Sequence, residues 1–285
     1  MHKIKKNGNL YSWCKMGYMS RISKSFKHAL VLPLAHESKY ILFSDCHRGD
    51  GGAADNFQQN EFIYLAALRY YKCRGYTYLE LGDGDELWES RSIEKIKEIH
   101  AHSFELLQKY SDEERLYVIY GNHDMVKKDE PGFYPAIILK DSLGKKDIYL
   151  THGHQAGIMN STFWKVNRFL VRYLWKNLEL LGVPDPTSAA KNNIKKDQTE
   201  KRLAGWAADH DVLLVTGHTH RPMAGTRKSP YFNTGSCVYP EEITGIEIEH
   251  RCITLVKWSL GTRDDQTVYV YREVLGEKIC IDEYV

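Results

Sequence analysis

Five short apolar runs, rich in β-branched and aromatic residues, each lead straight into a turn built from Asp, Gly, His or Asn. This succession constrains the fold more than any other feature of the chain. The runs are Tyr40–Phe43, Tyr76–Leu81, Leu116–Tyr120, Ile148–Leu150 and Val212–Val215, and runs of that length read as strands buried on both faces. Helical patterns separate the first three. Asn56 to Arg74 carries Phe57, Phe62, Leu65, Ala66 and Leu68, and Ser92 to Tyr110 carries Ile93, Ile96, Ile99, Phe104 and Leu107. Strands alternating with helices predict a layered α/β fold. Tyr231–Phe232, Ile243–Trp258 and Thr267–Glu273 follow one another without helices between them, so a β-meander should close the domain.

One segment breaks the rhythm. From Gly153 to Asp211 there is no convincing strand. Thr162 to Leu181 reads as a helix whose Lys165, Arg168, Arg172 and Lys176 recur at three- and four-residue steps as a basic stripe. Gly182–Pro186 should stop it, and a second helix is expected around Gln198–Asp209. Residues 155–210 are therefore read as a helical cap insertion, the place where lids are commonly built.

The chemistry lies just after each run. Asp45 and His47 follow the first; Gly82-Asp83-Gly84-Asp85-Glu86 follows the second; Gly121-Asn122-His123-Asp124 follows the third. His152 and His154 follow the fourth, and Gly217-His218-Thr219-His220 the fifth. Sites in open α/β sheets form at the carboxyl ends of strands, and the spacing of Asp45/His47 and of His218/His220 aims both members of each pair the same way from an extended backbone. Carboxylates, imidazoles and one amide, without thiolate, suit a hard or borderline divalent ion such as Mn, Fe, Zn or Mg, with Mn the expected ion. Asp45, His47, Asp83, Asn122, His152, His218 and His220 are too many for one tetrahedral site. They suit two ions about 3.5–4 Å apart that share a bridging carboxylate.

These motifs, in this order, resemble the calcineurin-like metallophosphoesterases, whose pattern is D-x-H, G-D-x-x-[DE], G-N-H-[DE], H and G-H-x-H. The resemblance runs from Tyr40 to the Asn233-Thr-Gly-Ser236 turn. It implies a β-sandwich core flanked by helices, spanning residues 39–285, and a dinuclear centre that cleaves a phosphoester or pyrophosphate by attack of metal-bound hydroxide. The first ion would be held by Asp45, His47, Asp83 and His220, and the second by Asp83, Asn122, His152 and His218. His123 would protonate the leaving oxygen, with Asp124 orienting its ring. Glu86 and Asp85 either orient ligands or cap the following helix. The stretch Gly82–Trp88, the Trp- and Arg-rich insertion and Gly217-His-Thr-His-Arg221-Pro222 look most like the UDP-diacylglucosamine hydrolases, peripheral membrane enzymes that cleave a lipid-linked pyrophosphate beneath a helical cap. The chain departs from that group at His123 and His154, where Arg and Asp are usual, and in continuing the first motif as Arg48-Gly-Asp-Gly-Gly. A nuclease, a protein phosphatase and a non-catalytic scaffold are the other functions this fold supports.

Substrate contacts are expected from Arg48, His154, Arg168, Arg172 and Arg221; Arg48 either reaches a phosphate or pairs with Asp50 or Asp55. Lys+Arg 39 against Asp+Glu 37 leaves a net charge of +2, which argues against a nucleic-acid partner held by a globally basic surface. The expected partner is a phosphorylated small molecule, approached in the cytoplasm or from a peripheral membrane contact. Residues 1–38 carry Lys3, Lys5, Lys6, Lys15, Arg21, Lys24 and Lys27 with no acid before Glu37, and read as a basic arm. The six cysteines read as buried reduced thiols, with Cys46 pointing away from the ligands on either side of it.

Overall fold

The computed structural model describes residues 5–52, 55–175 and 192–284. In chain order its strands are β1 (Leu30–Leu34), β2 (Lys39–Phe43), β3 (Thr77–Leu81), β4 (Leu116–Ile119), β5 (Phe133–Tyr134), β6 (Ile137–Asp141), β7 (Ile148–Leu150), β8 (Leu213–Thr216), β9 (Tyr231–Asn233), β10 (Glu242–Glu249), β11 (Cys252–Thr262), β12 (Val268–Val274) and β13 (Ile279–Cys280). One sheet has the order β1-β6-β7-β8-β9 and the other β12-β11-β10-β2-β3-β4-β5, with β13 beside β11. The helices are α1 (Lys5–Phe26), α2 (Glu61–Cys73), α3 (Ile93–Ile99), α4 (Ala101–Ser111), α5 (Ile158–Ser161), α6 (Trp164–Leu170) and α7 (Asn193–Asp209).

Period-two alternation explains why the strands are apolar throughout. Leu42, Leu79, Leu81 and Ile119 of one sheet meet Leu139, Ile148, Leu150 and Val215 of the other in a core between the sheets. Their neighbours Ile41, Phe43 and Tyr78 point outward and pack under α2 and α4 through Tyr64, Leu68, Tyr71, Leu106 and Tyr110. On the opposite outer face Leu214 and Tyr231 pack against Ile22 of α1 and Leu203, Trp206 and Ala207 of α7. The result is the expected mixed α/β sandwich with helices on both sides. The closing meander is present in part: β10, β11 and β12 pair antiparallel in succession and β10 joins β2, but Tyr231–Phe232, expected to open it, lies in β9 of the other sheet, parallel to β8.

Several elements differ from the expectation. Part of the stretch read as a basic arm is an integral strand: β1 runs parallel to β6 at the sheet edge. Pro33 lies in β1, and an edge strand tolerates the missing N–H. Ahead of it α1 is docked rather than solvated; Phe26 stacks on Trp206 at 5.1 Å, and Arg21 Nε donates to the Gln155 carbonyl. Cys252 and Cys280 face each other across β11 and β13 and form a disulfide, which corrects the reading of all cysteines as thiols. Their pairing depends on a strand register across 28 residues of chain that spacing alone does not reveal. Cys46 and Cys237 are buried free thiols, and Cys46 does point into the core beneath α2.

The cap begins with α5, α6 and a π-helical turn over Val171–Trp175, and resumes at α7, whose Asn192 side chain caps the helix by accepting from Lys195 N. Lys176, Leu178, Leu181 and the expected stop at Gly182–Pro186 lie outside the described residues. Among the described residues no helix is long and apolar enough to cross a membrane.

The helix expected over Ser92–Tyr110 is broken at His100 into α3 and α4. His100 is fully buried, with Nε2 2.9 Å from Asp55 and Nδ1 3.1 Å from Glu61. Burial opposes its charge, but the two carboxylates outweigh burial and raise the imidazole to about 9. Asp55 also accepts from Gly51 N and Gln58 N, so the cluster anchors the loop that follows the first motif. A folded-state pKa above the unfolded value of about 6.5 means the contribution is complete below that pH and is lost as pH rises through about 9. The urea midpoint of the wild type should therefore fall across that window by the equivalent of up to about 3 kcal/mol. His100→Gln should lack this component, and identical pH slopes in the two proteins would remove the buried ion pair as its source.

Candidate metal centre

The first two motifs are zipped together beyond the ends of their strands. Asp45 N donates to Gly82 O at 3.0 Å, His47 N to Asp83 O at 2.9 Å and Arg48 N to Gly84 O at 2.9 Å. This ladder brings Asp45 and His47 alongside Asp83, while β4, β7 and β8 deliver Asn122, His152, His218 and His220 to the same end of the sandwich. Asp45, His47 and His220 have donor atoms within 4.8 Å of one another, and so do Asp83, His152 and His218. His220 Nε2 is 3.1 Å from Asp45 Oδ1, and His152 Nε2 is 3.0 Å from Asp83 Oδ2. Asn122 Oδ1 sits 3.3 Å from His152 Nε2, so it belongs to the second group. Asp83 Oδ2 is also 3.8 Å from His47 Nε2, which leaves this carboxylate between the two groups.

Four of the candidate ligands have their other polar atom occupied from behind. Asp45 Oδ2 accepts from Ser44 Oγ and from His218 N, leaving Oδ1 inward. Asp83 Oδ1 accepts from His123 N at 2.7 Å, leaving Oδ2 inward. His152 Nδ1 donates to the Leu81 carbonyl at 2.8 Å, and His47 Nδ1 contacts Glu86 at 2.8 Å. Such partners fix ring orientation and leave the opposite nitrogen free for a cation.

The backbone is strained where these side chains leave it. Asp45, His47, Asp83, His218 and His220 have φ of 52°, 49°, 52°, 70° and 55°, a region that costs an L-residue energy and concentrates at functional sites. Two glycines permit the approach: a Cβ at Gly121 would land on the Asp83 carboxylate, and one at Gly217 on that of Asp45.

Electrostatics divide the cluster. His152 lies between Asp83 and Asp45, which outweigh its burial and raise it to about 9. His218 is driven down to about 3 by burial and by His152. Burial opposes ionisation of Asp83, but the surrounding histidines hold it far below the usual carboxylate range. Asp45 Oδ1 and His47 Nε2 are buried without a hydrogen-bond partner. Buried polar atoms left unpaired are costly, and here they point to where a cation would sit. The oxygen and nitrogen donor set, without sulfur, fits two divalent ions.

His123 lies at the rim, its Nδ1 2.8 Å from Glu86 Oε1, its ring stacked on Trp88 at 4.4 Å and edge-on to His47. Burial opposes charge on this ring, but Glu86 and Asp83 raise its pKa. Glu86 thus supports both His47 and His123, and its other contacts come from Trp88 N and Glu89 N. Asp124, expected to orient His123, instead accepts from Gly84 N and Gly121 N and ties the second and third motifs together. Burial and Asp83 push it up to about 6.

The expected substrate contacts divide. Arg48 is buried and held by Glu80 on both terminal nitrogens and by Asp85 on Nε, so neither Asp50 nor Asp55 is its partner and it presents no free face to a phosphate. Arg172 is likewise engaged, donating to the carbonyls of Leu87, Trp88 and Ser90. Arg221 pairs with Asp197 and Glu200 of α7. His154 is buried 5.5 Å from the His152 ring, and Arg168 Nε has no partner. Two contributors were not anticipated from sequence: Asn160 of α5 reaches His218 Nε2 at 3.3 Å and is itself held by Asn167 of α6 at 2.8 Å. Their only sequence signal is polar character on the inner face of an otherwise amphipathic cap.

Residues 39–249 match the model of the calcineurin-like phosphoesterase superfamily domain. The chain belongs to that superfamily. No curated protein matches the sequence. Among solved structures it is similar to Vps29 from Chaetomium thermophilum at 13% identity and TM-score 0.41, covering 84% of this chain and 97% of that one. It is also similar to GAP50 of Plasmodium, the anchor in the inner membrane complex, at 12% identity and TM-score 0.42, covering 84% and 89%.

If Glu86 sustains the charge on His123, Glu86→Gln should lower the His123 pKa in an NMR titration of the metal-stripped protein. An unchanged value would assign the shift to Asp83 instead.

Proposed function

We propose that the chain is a dinuclear metal-dependent phosphohydrolase acting on a phosphoester or pyrophosphate bond of a small molecule, nucleotide-linked or lipid-linked. The observation that carries this reading is the Asp83 carboxylate, standing between two donor groups whose inward atoms include the unpartnered Asp45 Oδ1 and His47 Nε2. Asp45, His47, Asp83 and His220 would hold one ion, and Asp83, Asn122, His152 and His218 the other. Two such ions supply an activated water and neutralise charge on a transferring phosphoryl group.

The chain's own residues account for the rest. His123 is the proton donor to the leaving oxygen and works from Nε2, because Nδ1 is engaged by Glu86. Glu86 and Asp83 raise the pKa of that ring against the effect of burial, which favours its protonated form. Asn160 braces His218 from the cap, so cap and centre are mechanically joined. A cap that reaches the centre suits a small-molecule pocket better than an open groove for nucleic acid or a phosphoprotein. Phe163, Val166, Phe169 and Tyr173 are exposed on the cap beside Lys165. This outward face supports a peripheral membrane contact and a lipid-linked substrate of the UDP-diacylglucosamine type.

A hydrolysis screen with Mn tests the reading, comparing nucleotide diphosphate-linked lipids, phosphomonoesters and bis-phosphodiesters. His123→Asn should retain both ions by elemental analysis and lose about 10²–10⁴-fold in turnover. Asp83→Ala should lose bound metal together with activity. A fully loaded protein that hydrolyses none of these substrates would leave a binding module in place of an enzyme.

A further inference from the structure

A cavity of about 480 Å³ is lined by residues of the Asp85–Arg91 segment, α4, β4 and the cap, and by none of the candidate metal ligands. Its volume falls in the range of roughly 300–1,000 Å³ typical of small-molecule sites. The lining is mixed: Leu87, Leu107, Leu116 and Val118 form an aliphatic stretch among residues that are mostly polar or charged. Arg48 and Lys97 lie over Phe104, and Lys127 over Phe133. The aliphatic stretch offers a flexible alkyl chain a surface to lie on.

The charge is unevenly spent. Glu80 and Asp85 at the floor are consumed by Arg48 and Lys127. Among the described residues Lys97 and Arg168 have no carboxylate partner, and Arg91 lies against the Tyr173 ring; against these three cations stands Glu130. Among the described residues, two buried polar atoms on lining residues have no hydrogen-bond partner. They are Arg168 Nε and Ser90 Oγ, the latter on a residue only 4% exposed. Native proteins seldom leave buried donors unpaired, so the pair marks where an acceptor belongs. The cap helix is set for this role because Arg172 fastens it to the carbonyls of Leu87, Trp88 and Ser90, one helical turn from Arg168.

We propose that this cavity is a second binding site, separate from the metal centre, for a single-chain amphiphile. Its alkyl chain lies on the Leu87, Leu107, Leu116 and Val118 walls, and its anionic carboxylate or phosphate head is held by Arg168 and Ser90. The proposal does not rest on hydrolytic activity.

Titration calorimetry on the full, metal-loaded chain tests it, with dodecanoate below its micelle concentration as the probe, and dodecanol and acetate as the chain-only and head-only controls. Dodecanoate should bind, and both controls should bind at least about tenfold more weakly. Arg168→Ala removes the unpaired cation without breaking any ion pair and should weaken dodecanoate about tenfold or more. Val126→Trp, at a partly exposed lining position that tolerates bulk, should abolish binding by filling the mouth. Asp83→Ala should bind dodecanoate as the wild type does. Absence of binding, equal binding by all three variants, or equal affinity for dodecanol would overturn the proposal. Loss confined to Asp83→Ala would place the carboxylate on the metals and overturn it too, leaving the phosphohydrolase reading untouched.

Discussion

The structure depends on holding a crowd of carboxylates out of water at one end of a β-sandwich. Asp45, Glu80, Asp83, Asp85, Glu86 and Asp124 are all buried there. Burial of an unpaired carboxylate is too costly to survive, so each must find a donor or a cation. Their partners are divided by depth. Glu80 and Asp85 are neutralised by Arg48 and Lys127, and Asp124 by the amides of two glycine turns. Glu86 takes two imidazoles and two amides. Only Asp45 and Asp83 keep an oxygen directed inward among histidines, and that asymmetry separates a ligand from a support.

The deeper ion network explains how the loops carrying the ligands stay in place despite their strained backbone. Arg48 comes immediately after the ligand pair Asp45/His47, and Asp85 two residues after Asp83; their side chains pair at 2.7 Å while their backbones form a bridge. Removing one member would leave the other charge buried and unpaired, which costs about 3–5 kcal/mol in comparable sites. A single network therefore fixes the relative positions of two motifs that lie far apart in the chain. It also supplies the floor of the neighbouring cavity.

Much of this was legible in the sequence, and the reasons are physical. The runs buried on both faces appear as unbroken apolar stretches because both outer sheet faces are covered by helices, and all five lie on strands of the structure. The candidate ligands stood out because metal chemistry demands particular atoms, and short motifs at strand ends carry them; the fold gathers them into two groups. What escaped was set by tertiary context. β1 was hidden by Pro33, which is harmless only because the strand lies at an edge. The break at His100 follows from Asp55 and Glu61, neither adjacent in sequence. Arg48 looked like a phosphate ligand because its true partners, Glu80 and Asp85, are brought to it by sheet pairing. The Cys252–Cys280 bond needed the β11–β13 register.

The same division of labour accounts for the cap. A helix laid over a metal site must be positioned without carrying its own charges into the centre. Arg172 does this by spending its guanidinium on three carbonyls of the Leu87–Ser90 segment, an anchor that takes no carboxylate away from the site. Asn160, itself held by Asn167, then approaches His218 with a neutral amide, so the cap brings no cation by this contact against an imidazole already pushed toward neutrality. The segment that Arg172 grips begins one residue after Glu86, which orients His47 and His123. Cap position, the proposed proton donor His123 and the candidate metal ligand His47 are thus coupled through a few residues of backbone, and a shift of the cap helix would act on both rings through Glu86.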